Sequence, residues 1–150
     1  MSGVVGYGLF TARLGSGTNG MTTEGGFFET FTNNTGVSVK GTIVVASTTV
    51  DNAVDTAPAD SPMPIGIIYE SGIANGSPVK VVVYGKTEVL LKDGLAATRG
   101  YWCGVSDTAG RMYQAATVPS TTEHNRETGH SLKTTASGTD VLSLIQVHFN

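Results

Sequence analysis

Charge, cysteine and long apolar runs are what this sequence has least of. Charged residues make up 14% of the 150, against about 25% in an ordinary globular chain. The nine Lys and Arg stand singly and the net charge is −3. Binding that neutralises phosphates needs a clustered basic face, so a nucleic-acid partner is not expected. The single cysteine, Cys103, excludes an intrachain disulfide and a zinc site built on several thiolates. No apolar run approaches the ~20 residues of a membrane-spanning helix. The start, Met1-Ser2-Gly3-Val4-Val5-Gly6-Tyr7-Gly8, lacks the basic and apolar regions of a secretory signal. The expectation is a protein with no membrane partner, made in a reducing cytoplasm. Asn33-Asn34-Thr35 and Asn75-Gly76-Ser77 then read as chance matches to a glycosylation pattern.

What is abundant is glycine, with 20 residues, and threonine, with 21. That texture disfavours long helices and favours strands joined by tight turns. A chain of this length buries about 68–70% of its surface on folding, enough for one domain without metals or disulfides. Two regions differ. The first 26 residues hold eight glycines, and residues 1–35 carry four of the five phenylalanines. So many glycines are costly to order, yet a disordered tail would be poor in aromatics. This stretch reads either as an N-terminal strand and loop or as an extended arm docking on a neighbour. We assign 1–35 to an arm and 36–150 to the folded domain.

From residue 36 the pattern is strand, turn, strand. Strands are expected over 37–46 and 64–70, followed by Asn75-Gly76, the strongest short hairpin signal in the chain. Residues 79–91 alternate for thirteen positions, with Val79, Val81, Val83, Val89 and Leu91 on the odd face. Gly85 at the midpoint marks a bend or bulge. Residues 95–99 allow at most one helical turn. Hairpins are expected around Asp107-Thr108-Ala109-Gly110 and between 129–135 and 141–149. The fold class is all-β: a small barrel or sandwich of short antiparallel strands.

Apparent chemical motifs have simpler explanations. Gly15-Ser16-Gly17-Thr18-Asn19-Gly20 matches a dinucleotide fingerprint, but Gly25-Gly26 cannot open the required helix and no acid follows near residue 40. His124 and His130 are six apart with Glu123 and Glu127 nearby, without a helical pair or tight ligand triplet. They read as polar loop residues and a strand-face histidine, and His148 as a solvated or interface residue. Cys103 has no activating neighbour and reads as a small core residue beside Trp102. Asp51, Asp55, Asp60 and Glu70 flank a proline-bearing loop; the 7% aromatic content gives little support to a carbohydrate hydrolase. No catalytic residue, cofactor or metal ligand is therefore assigned.

The runs Gly41-Thr42-Ile43-Val44-Val45, Asp51-Asn52-Ala53-Val54 and Pro64-Ile65-Gly66-Ile67-Ile68-Tyr69-Glu70 set a pattern. It continues through Gly76-Ser77-Pro78-Val79-Lys80-Val81-Val82-Val83-Tyr84-Gly85 and Gly100-Tyr101-Trp102-Cys103-Gly104-Val105-Ser106. Together with Glu127-Thr128-Gly129-His130 and the ending Val147-His148-Phe149-Asn150, it resembles the capsid decoration (cement, head-stabilising) proteins of tailed bacteriophages. The likeness covers roughly residues 27–150. It implies a small β-barrel or β-clip-like domain, trimeric, on the outer capsid surface at local three-fold positions. The implied partners are the major capsid protein and two further copies of the chain. Tyr7, Phe10, Phe27, Phe28 and Phe31 are the candidate interface anchors, since aromatics carry much of the energy of interfaces.

Two other readings compete. A receptor- or carbohydrate-binding module would draw on Tyr101, Trp102 and Tyr113. An enzyme on a small β-barrel would need His130, Asp55 and Glu70 to converge in a cleft.

Overall fold

The computed structural model describes residues 19–149. Among these, ten strands and one short helix make an all-β molecule. The strands β1 (Asn19–Met21), β2 (Gly26–Asn33), β3 (Ile43–Ala46), β4 (Ala53–Thr56) and β5 (Gly66–Ile68) precede the long β6 (Pro78–Leu90). Then come β7 (Trp102–Val105), β8 (Met112–Ala115), the helix α1 (Thr121–His124), β9 (Glu127–Ser131) and β10 (Leu142–Val147). The sheet order is β1-β2-β4-β3-β5-β6-β10-β9-β7-β8. Because β2 also pairs with β6, the strands β2, β4, β3, β5 and β6 close into a ring. The β2–β4 pairing is parallel and the other ring pairings are antiparallel.

The alternation of β6 explains how one strand serves two cores. Val79 and Val81 join Val44, Val54 and Ile68 in one buried cluster, with Phe31 packed against it. Every ring strand contributes to this cluster, so it fills the ring. Val82, Val89 and the following Leu91 join Phe28, Ile43, Ile67, Val105, Met112, Ile145 and Val147 in a second cluster. That core lies between the ring and the strands β7, β8 and β10. Val82 and Val89 are seven apart, so a regular strand would point them to opposite faces. A bulge reconciles them: the β2 partners run Phe27↔Tyr84, then Phe28↔Val82, skipping Val83. Gly85 supplies the backbone for it at φ 88°, and a Cβ there would meet the Gly25 carbonyl oxygen at 2.6 Å. Ile43 and Val44 are both fully buried, as are Ile67 and Ile68, so β3 and β5 are covered on both faces. Each such side chain contributes about 1.5–3 kcal/mol of burial.

Several expectations change in detail. Within the expected arm, β1 and β2 belong to the sheet, and Asn33 is fully buried at the end of β2; residues 1–18 lie outside the described residues. The strand expected over 37–46 starts only at Ile43, with Val37 and Val39 exposed in the preceding loop. Residues 95–99 form no helical turn, within the expected limit of one, and the one helix among the described residues is α1. The hairpins β5–β6, β7–β8 and β9–β10 pair antiparallel as expected.

Candidate functional site

The C-terminal strands gather the chain's three histidines around one carboxylate. α1 is a single turn, N-capped by Ser120 in a reciprocal capping box with Glu123. It ends at His124 and delivers the chain into β9 three residues later, at Glu127. Glu127 and His130 are three apart, and a regular strand would point them to opposite faces. The β7–β9 register prevents that: Cys103 pairs with Gly129 but Gly104 with Glu127, so Thr128 is an extra residue. This bulge turns Glu127 and His130 to the same side. On the other edge of β9, Gln146 pairs with His130 and Val147 with Gly129, which brings His148 alongside.

Glu127 Oε2 lies 2.8 Å from His124 Nδ1 and Oε1 lies 2.9 Å from His148 Nε2. His130 Nε2 is 3.9 Å from Oε1, while its Nδ1 stands 3.0 Å from His148 Nε2. Trp102 walls the cluster: its ring centroid is 4.4 Å from that of His130 and 5.2 Å from that of His124, edge-on to the latter. The Glu127 side chain is 1% exposed, whereas His124, His130 and His148 are 40%, 35% and 38% exposed. A buried carboxylate thus lies beside three part-exposed imidazoles. Burial, and secondarily the neighbouring His148 charge, pushes the His130 pKa below its ordinary value, against the pull of Glu127. Burial and the Glu127 charge push the Cys103 thiol up to about 12. Chemically, the group can carry protons between imidazole and carboxylate, or present nitrogen and oxygen lone pairs to a metal through Glu127, His130 and His148.

Three of the five expected anchors lie on β2, away from this cluster. Phe28 is in the core and Phe31 packs on the ring cluster, while Phe27 is half-buried on β2. Tyr7 and Phe10 lie outside the described residues. Tyr113 sits beneath the Arg126 guanidinium and Trp102 against two histidines. Asp55 accepts a hydrogen bond from the Asn34 amide at 2.6 Å, Asp60 pairs with Arg126, and Glu70 accepts from the Lys80 backbone N–H at 3.2 Å. An apolar groove of about 460 Å³ opens beside β3, lined by Val45, Pro58, Pro62, Met63 and Ile65; Met63 is 70% exposed.

The histidine cluster is not visible in sequence spacing because a bulge and a cross-strand register assemble it. The one available signal was glycine in Glu127-Thr128-Gly129-His130. No protein-family model matches the chain, and no curated protein is detectably similar to it.

Proposed function

We propose that the protein is a structural virion component that binds the outer surface of a bacteriophage capsid as a trimer and stabilises contacts between capsomers. The observation that carries this reading is where the family-like segments fall. Residues 41–45, 51–54, 64–70 and 76–85 overlap β3, the first half of β4, β5 and the first part of β6, four of the five ring strands. We read that ring as the small β-barrel or β-clip-like body of a decoration protein. A body covered on both faces of β3 and β5 is rigid, as a clamp between capsomers must be. Around a three-fold axis, three copies present identical contacts, and multivalency makes weak contacts collectively strong. The apolar groove with Met63 at its rim is the surface offered to the major capsid protein, and Tyr7 and Phe10 are retained as candidate anchors in the N-terminal segment. Buried Cys103, its thiol held protonated, supports a binding role over nucleophilic catalysis.

Light scattering on the pure protein, followed by titration onto undecorated capsids, tests the reading. A trimer that saturates the shell at a fixed stoichiometry is expected. A protein that leaves capsids bare at every concentration sinks it.

A further inference from the structure

We propose that Glu127 Oε1, His130 Nδ1 and His148 Nε2 are the ligands of a zinc ion, with His124 holding the far carboxylate oxygen. The site stands independently of the virion role.

Hydrogen bonding alone serves the two facing histidine nitrogens poorly. His148 Nε2 stands 2.9 Å from a carboxylate oxygen and 3.0 Å from His130 Nδ1. Neutral or charged, an imidazole nitrogen carries at most one proton. A proton on His148 Nε2 must be shared between two acceptors. A proton on His130 Nδ1 instead leaves the His148 lone pair facing the carboxylate. A cation at their centre satisfies all three lone pairs at once.

The spacing suits zinc. Bond lengths of about 2.0–2.1 Å and tetrahedral angles set neighbouring ligand atoms about 3.3 Å apart. Two of the three spacings, 2.9 and 3.0 Å, need open by only a few tenths of an ångström, and one ligand atom from each of the three side chains lies within 4.8 Å of the others. Two imidazoles and one carboxylate match the preferences of zinc, whereas calcium and magnesium take oxygen ligands. The carboxylate is pre-placed: it is buried, and His124 Nδ1 lies 2.8 Å from its second oxygen, the outer-shell arrangement that orients metal ligands. Trp102 fixes the His130 ring from one side. The part-exposed histidines leave a route in and a fourth position for water. Bound there, the ion would tie the end of β10 to β9, at the close of the described chain.

The test uses the untagged full-length chain, stripped with a chelator and titrated with zinc chloride by calorimetry. Cobalt(II) serves as the spectroscopic probe of tetrahedral geometry. One ion per chain is expected, with a tetrahedral cobalt spectrum that zinc bleaches. His130→Ala and His148→Ala should each weaken zinc by about 100-fold or more, and His124→Ala by about 10-fold, as outer-shell losses do. All three replaced side chains are part-exposed, and circular dichroism checks the variants' folding. Absence of a saturable zinc heat in the wild-type protein overturns the proposal. So does wild-type affinity in the folded His130→Ala, His148→Ala double variant.

Discussion

Gly129 approaches Gln146 so closely across β9 and β10 that a Cβ on it would stand 1.9 Å from the Gln146 carbonyl oxygen. Its φ of 142° also lies where side chains are strained. Only glycine permits this approach, and the approach sets Glu127 and His130 beside His148. Gly129→Ala should therefore cost roughly 2–4 kcal/mol in chemical denaturation and abolish the cobalt spectrum. A variant as stable as the parent would show that the strands separate at little cost.

Asn33 closes the loops at the end of β2. It is fully buried; its amide donates to the Gly36 and Ile73 carbonyls at 2.7 and 2.9 Å. Its oxygen accepts from the Thr35 N–H and hydroxyl at 3.0 and 2.7 Å. Asn33→Ala leaves buried polar groups without these partners, a loss of about 2–4 kcal/mol, read as a lower denaturation midpoint with an unchanged slope. The same burial makes this asparagine inaccessible to glycosylation in the folded protein.

How far the sequence carries the reader depends on whether a feature is local. Asn75-Gly76 and Asp107-Gly110 mark their hairpins because turn conformation is written in a few adjacent residues. The thirteen-residue alternation marks β6, and Gly85 its bulge. The phenylalanines of β2 sit in glycine-rich surroundings that suit an arm, while the strand that carries Phe28 and Phe31 is paired to β6 and β4, which no local pattern announces. The histidines were equally opaque. Glu127, His130 and His148 meet through a skipped residue opposite β7 and a register with β10, and neither leaves a periodic trace.

Cys103 should be chemically silent in the folded protein. It is 2% exposed, and its thiol pKa is raised from 9.0 to about 12, by burial first and by Glu127 second. A thiol reagent near pH 8 should label the native chain negligibly and the denatured chain once. The shift also sets a sign for stability. Above about pH 9 the unfolded thiol loses its proton while the folded one keeps it. The unfolded state then binds fewer protons, and this group's contribution falls by about 1.4 kcal/mol per pH unit. The stability difference between the wild type and Cys103→Ala should shrink with that slope as pH rises past 9. A constant difference would contradict the raised pKa.

Met63 offers a surface test of the virion reading that leaves the core intact. At 70% exposure on the rim of the apolar groove, Met63→Asp should change folding stability by no more than about 0.5 kcal/mol. A charge placed in an apolar contact must be desolvated on docking. Repeated at each of three symmetric contacts, the penalty multiplies through avidity. Capsid sedimentation should show at least a ~100-fold loss of binding. Full binding by the folded variant would move the contact away from the groove.

Zinc should also be visible as stability, because an ion that binds only the assembled site stabilises by mass action. At free zinc about 100 times the dissociation constant, the gain is about 2.7 kcal/mol. For a chain of this length each kcal/mol moves the midpoint by roughly 2–4 °C, so zinc should raise Tm by about 5–10 °C and excess chelator should restore the metal-free value. In the His148→Ala variant the shift should fall to about 1 °C or less, since the end of β10 no longer supplies a ligand. Magnesium at the same concentration should leave Tm unchanged, because two imidazoles are poor partners for it. An equal shift with magnesium would mean that general ion effects, not the cluster on Glu127, stabilise the fold.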